Sequence, residues 1–143
     1  MNHKIKDGGL WMTMSKGAKK IAMLLRKRGF YVVPEYSFPD LKGKNGTFLR
    51  YDFAILYGGR PVVLVEYDGE AHFKQVKHFQ KTENKLKQAQ ERDRRKNKYA
   101  LLNNIKLYRV PYWEINNIYT YRDIFQDKFL VKTKYHNDYL IAP

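Results

Sequence analysis

Apolar residues fall at two spacings along the 143-residue chain, and the changes between them mark its elements. From Ser15 the spacing is helical: Ala18, Ile21, Ala22 and Leu25 recur at i, i+3, i+4 and i+7. Ser15 is a suitable N-cap, and Gly29 stands where a helix C-terminus accepts glycine. Residues 30–33 read as a first strand that stops at Pro34, and 40–46 is turn chemistry. Residues 49–57 alternate, and 61–68 hold the β-branched run Val62-Val63-Leu64-Val65, so two strands follow, bent at Gly58-Gly59 into an antiparallel hairpin. A long basic helix is expected over 81–103, a strand over 105–110 closed by Pro111, and a last helix over 115–129. The order α, β, β, β, α, β, α predicts an α/β sandwich with a small central mixed sheet flanked by helices. Residues 1–14 read as a flexible arm and 15–143 as one domain.

Composition narrows the function. The chain has no cysteine, which excludes a disulfide framework, a cysteine-based zinc finger and a thiol nucleophile. No apolar run approaches the ~18 residues that span a bilayer, and the N-terminus lacks the apolar stretch of a secretory signal. The expectation is a cytoplasmic protein of a bacterial or phage-infected cell with no membrane partner. Twenty-eight Lys and Arg against fourteen Asp and Glu leave a net charge of +14. Such a field attracts polyanions, and nucleic acid fits better than a lipid surface because no amphipathic segment carries a clean apolar face with a basic rim.

The hairpin holds the candidate chemistry. In Val65-Glu66-Tyr67-Asp68-Gly69-Glu70-Ala71-His72, Glu66 and Asp68 share one face of a strand that otherwise reads as buried. Asp52 lies on the partner strand. An odd loop centred on Gly59 sets it opposite Glu66, whereas a two-residue Gly58-Gly59 turn pairs it with Val65 instead. Close carboxylates repel, and burying them is costly unless a cation neutralises them, so Asp52, Glu66 and Asp68 are candidate ligands of Mg²⁺ or Mn²⁺. His72, just beyond the strand, is placed to exchange a proton near neutral pH. On the long helix Leu86, Ala89, Asp93, Lys96 and Ala100 form one stripe. There Asp93 and Lys96 form a solvated ion pair, or face the site, Asp93 orienting His72 or a water and Lys96 meeting phosphate charge. Lys74, Lys77, Lys81, Arg92, Arg94, Arg95 and Lys98 are candidate phosphate contacts, which position DNA without reading its sequence.

Arg50-Tyr51-Asp52-Phe53, Val65 to Gly69 with His72, Asp93 on a helix and Leu107-Tyr108-Arg109-Val110 together resemble the very-short-patch-repair-like branch of the PD-(D/E)xK nuclease superfamily. That branch includes phage homing endonucleases with the motif called EDxHD. The resemblance covers roughly residues 15–114. It implies a restriction-endonuclease-like core and Mg²⁺- or Mn²⁺-dependent cleavage of double-stranded or branched DNA. Asp52 would be the central metal ligand, Glu66 its neighbour, His72 a general base or phosphate ligand, and Asp93 the helical acid. Two positions depart from the pattern. Asp68 stands where the motif has lysine, so Lys96 or His72 must take that role. Ala18 stands in the first helix where a catalytic glutamate is expected, which points to a reduced-activity form or to ordinary core packing. A homing-type endonuclease is the favoured expectation. The alternatives are a junction-resolving or mismatch-nicking enzyme on the same core, or a catalytically silent DNA-binding protein.

Overall fold

A computed structural model describes residues 13–73, 81–140, 142 and 143. Helix α1 spans Lys16–Arg28, capped by the Ser15 hydroxyl, which accepts the Ala18 N–H, and ended by Gly29 at φ 101°. Strands β1 (Tyr31–Lys42), β2 (Phe48–Tyr57) and β3 (Arg60–Asp68) follow, then helix α2 (Lys81–Leu102) and strand β4 (Lys106–Pro111). The sheet is mixed and four-stranded in the order β1-β2-β3-β4, with β3 and β4 parallel and the other pairs antiparallel. This is the expected α/β architecture. Among the described residues no helix is long and apolar enough to cross a membrane. Residues 1–12 of the expected arm lie outside the described residues, while Met14 packs on the core.

The core has two halves, one on each face of the sheet. Ile21, Ala22 and Leu25 of α1 pack with Val32, Phe53, Val65 and Val110. Ala100 of α2 packs on the other face with Tyr51, Ala54, Leu64 and Leu107.

Three elements differ from the sequence expectation. Strand β1 continues through Pro34 because it is an edge strand, where the missing N–H breaks no ladder. The helix expected over 115–129 is a series of short turns: a 3₁₀ turn at Tyr112–Asn117, helix α3 at Tyr121–Ile124 and a 3₁₀ turn at Asp127–Phe129. Thr120 and Asp123 form a capping box that starts the chain afresh after Asn116-Asn117, yet Ile118, Ile124 and Phe129 still reach the core. The hairpin loop is the two-residue Gly58-Gly59 turn, both glycines at positive φ, with Tyr57 opposite Arg60. That turn alone would pair Asp52 with Val65. A bulge at Pro61-Val62 shifts the register by one, so Ile55 pairs with Val63 and Phe53 with Val65.

Candidate functional site

The shifted register carries Asp52 across from Glu66, at the point where the β2–β3 ladder ends. Beyond it β2 stays paired to β1, through Tyr36↔Tyr51 and Ser37↔Arg50. Strand β3 meanwhile stays paired to β4, through Glu66↔Arg109 and Asp68↔Pro111. The sheet forks there, and the acids sit at its crotch. Their side chains replace the missing ladder: the Asp52 N–H donates to Glu66 Oε2 at 3.2 Å, and the Tyr67 N–H to Asp52 Oδ2 at 2.8 Å. Glycine at position 17 lets the first turn of α1 rest on the Tyr67 ring, where any Cβ would collide.

Lys96 reaches this crotch from α2. Its ammonium pairs with Glu66, and the two residues are only 9% and 2% exposed. Burial, reinforced by Arg109, pushes the Lys96 pKa down to about 7, while Asp52 and Glu35 pull it back. Glu35 is a member that the sequence reading missed. It faces Asp52 in the β1–β2 register, between Pro34↔Phe53 and Tyr36↔Tyr51. Its φ of 52° is left-handed, a conformation that costs a non-glycine residue about 1–3 kcal/mol. The inside-outside alternation reverses here: Val32 lies in the α1-side core, but Tyr36 and Phe38 pack on the α2 side. Burial and then Asp52 raise the Glu35 pKa, opposed by Arg50 and Lys96. The signal in the sequence was a carboxylate set between Val32, Val33 and Pro34 on one side and Tyr36 on the other.

The second half of the site is a buried network around Arg109, itself fully buried. Its Nη1 donates to Asp68 Oδ1 at 2.7 Å and its Nε to Asn97 Oδ1 at 2.7 Å, while Nη2 lies 3.4 Å from Asp93 Oδ1. Asn137 of the C-terminal turn donates to Asp68 Oδ2 at 2.8 Å. Asp93 in turn holds His72 through its Nδ1 at 2.8 Å. An ionised carboxylate only accepts, so Nδ1 carries the proton and Nε2 is the atom left for a ligand. Burial alone would lower the His72 pKa, but the Asp93 bond and the charges of Asp68 and Asp93 outweigh it and raise it. Burial likewise favours a neutral Asp93, and Arg109 and His72 reverse that, holding its carboxyl low. Asp93 and Lys96 therefore do not pair with each other.

His72, Asp93 and Lys96 open onto a cleft of about 750 Å³ between α2 and the β1–β2 connection. Its walls also carry Lys44, Phe48, Arg50, Lys87 and Arg92.

Several expected residues take other parts. Asp68 stands apart from Asp52 and Glu66: it is fully buried, and its oxygens meet Arg109 and Asn137 and lie near His72 and Asp93. Asp68, His72 and Asp93 do bring ligand atoms within 4.8 Å of one another, but the Arg109 guanidinium already supplies the positive charge there. Ala18 belongs to the α1-side core, with Ile21, Ala22 and Leu25, on the face opposite Lys96 and Glu66. A glutamate at 18 would enter apolar packing. Arg94 is tied to Asp138 at 2.9 Å, and Arg95 to Glu91 and to the Lys42 carbonyl, so both are structural anchors. Arg92 is exposed on the cleft wall; Lys98 is exposed but is not part of that wall. Lys74 and Lys77 lie outside the described residues, as does the side chain of Lys81.

Glu35, Asp52 and Glu66 set three carboxylates against the single ammonium of Lys96. Asp52 Oδ1 carries no hydrogen bond among the described residues. Among the described residues these three carboxylates do not bring their oxygens together as closely as Asp68, His72 and Asp93 bring their ligand atoms.

No family model matches the chain, and no solved structure does. It is 37% identical over 84 residues to the uncharacterized protein 307L of Invertebrate iridescent virus 6. The match covers 58% of this chain and 41% of that protein, so the chain spans less than half the length of the relative it resembles.

Proposed function

We propose that the chain is a metal-dependent DNA endonuclease with a restriction-endonuclease-like core, which hydrolyses phosphodiester bonds at the forked end of the β2–β3 hairpin. The observation that carries this reading is the convergence of Asp52, Glu66 and Lys96 from three separate elements, with Lys96 lining the cleft and the two carboxylates behind it. Two carboxylates and a lysine are the donor set of the PD-(D/E)xK superfamily, and here α2 supplies the lysine that the strand lacks. Asp52 and Glu66 would hold Mg²⁺ or Mn²⁺, with Glu35 adding negative charge nearby. When bound, the cation polarises the phosphoryl group and offsets the charge that builds on it. Lys96 presents its ammonium to a non-bridging phosphate oxygen. His72, anchored by Asp93, keeps Nε2 toward the cleft, and its raised pKa suits it to give a proton to the leaving oxygen. Arg92, Lys87 and Arg50 on the walls complement the phosphates on either side.

The rival reading of a silent DNA-binding protein drew on Ala18, and that residue packs in the apolar core with Ile21, Ala22 and Leu25. The test is nicking of supercoiled plasmid and of branched DNA with Mg²⁺ or Mn²⁺. Asp52→Asn and Lys96→Met should each lower single-turnover cleavage by about 100-fold or more. A wild-type protein that binds these DNAs and cleaves none of them would leave the binding protein as the correct reading.

A further inference from the structure

The cleft that leads to the site has the size of a small-molecule pocket. Such pockets hold roughly 300–1,000 Å³, and this one holds about 750 Å³. The acid–lysine pair behind it is nearly closed to solvent, with Glu66 at 2% and Lys96 at 9% exposure. A pocket of this size matches an unpaired nucleotide, whereas a duplex is wider than the pocket and would have to lie across its mouth.

The walls have the composition that a single strand requires. Phe48, at the start of β2, is 53% exposed and lines the cleft. It is an aromatic face without a core to fill, and its covering in the protein is the Lys42 ammonium, 5.0 Å from the ring centroid. Stacking one base on an aromatic side chain is worth about 1–3 kcal/mol and tolerates any base. Asn45, Thr47 and Gln88 offer polar groups beside it, and Lys44, Arg50 and Arg92 offer positive charge along the same walls. Strand β2 carries Phe48 and Arg50 two residues apart on the cleft wall, about 6.6 Å from one another, and Asp52 two residues further on, beyond the wall. An aromatic platform and a cation therefore precede the acidic cluster along one strand, in the order in which an extended nucleic-acid chain would meet them.

We infer that the cleft takes a single-stranded DNA segment, with a nucleobase stacked on Phe48 and the phosphate beyond it delivered to Asp52 and Lys96. The substrate class is then branched DNA with an unpaired arm, such as a flap or a gapped duplex, and not uniform duplex. This rests on the nuclease reading and narrows it.

The experiment is fluorescence anisotropy in EDTA, where no cleavage occurs, with the full chain and three probes: a uniform duplex, the same duplex with a single-stranded flap, and a single strand alone. A 2-aminopurine in the flap reports stacking. Flap DNA should bind at least about tenfold more tightly than uniform duplex, with quenching of the 2-aminopurine. Phe48→Ala should weaken flap binding at least about fivefold and abolish the quenching, while changing duplex affinity less than about twofold. Phe48 is exposed, so the variant keeps its core; circular dichroism checks this, and the preference of the wild-type protein tests the inference without any variant. Equal affinity for flap and duplex, or a Phe48→Ala effect shared equally by both, overturns the inference. If the protein then still cleaves duplex with Mn²⁺, the nuclease reading survives alone. Absence of binding to every probe overturns both.

Discussion

His72 owes its chemistry to neighbours that come from four other parts of the chain. Asp93 of α2 bonds its Nδ1, Asp68 of β3 lies 3.7 Å from the same atom, Arg109 of β4 balances both acids, and Asn137 of the C-terminal turn fixes Asp68. Removing any one leaves a buried charge with fewer partners, the kind of change that costs several kcal/mol. The raised His72 pKa fixes the sign of a pH effect. A histidine whose folded pKa exceeds its unfolded value of about 6.5 adds stability that is fully present below 6.5 and is lost as pH rises through the folded value. Urea unfolding of the wild type and of His72→Gln should therefore differ most below about pH 6.5, and the difference should shrink as pH rises above it. A difference that grows with pH would mean that His72 is held neutral and acts as a base. Asp93, held low, works in the other direction, and its contribution disappears only as pH falls through its depressed value.

At the scale of elements, two local devices set the site. One is the bulge at Pro61-Val62, and the other is the left-handed Glu35 that reverses the faces of β1. The helices have a simpler part, and α1 yields a direct test. Ala18 is 8% exposed among Ile21, Ala22, Leu25 and Phe53, so Ala18→Glu should place a charge in apolar packing. Thermal or urea unfolding should show a loss of about 2 kcal/mol or more, with no gain in cleavage. Faster cleavage at unchanged stability would return the residue to the active site. The contrast shows what the sequence could convey. Helix α1, the hairpin, the long helix and β4 were legible because each has its own periodicity and punctuation. Asp52, Glu66, His72, Asp93 and Lys96 were legible as polar residues interrupting apolar patterns. The register was not: Gly58-Gly59 reads as a two-residue turn, which it is, and only the bulge brings Asp52 across from Glu66. The partners of Asp68 were not legible, because Arg109 and Asn137 are 41 and 69 residues away. The final helix failed because Ile118, Tyr121, Ile124, Phe125 and Phe129 keep a helical spacing, while Asn116-Asn117 and the Thr120 cap divide the backbone.

For the molecule as a whole, the net charge of +14 is an average, and the structure shows that its members are not equivalent. Arg94 and Arg95 are engaged in holding α2 to the C-terminal turn and to β1. Lys96 and Arg109 are buried against carboxylates. Exposed cations of α2 fall into two sets: Lys87 and Arg92 on the cleft wall, and Lys85 and Lys98 outside it. If DNA approaches through the cleft, only the first displaces counterions from phosphate. The logarithm of the binding constant falls with the logarithm of salt concentration by roughly 0.7–0.9 for each neutralised phosphate. Arg92→Ala should therefore make that slope shallower by one such step and weaken all DNA sequences alike. Lys98→Ala should leave the slope unchanged. Arg94→Ala should lower thermal stability by loosening the Asp138 tether, with the slope again unchanged. The measurement is a salt titration of binding by anisotropy for the wild type and the three variants. A Lys98→Ala slope reduced as much as that of Arg92→Ala would place DNA across the outer face of α2, away from the cleft and its acids.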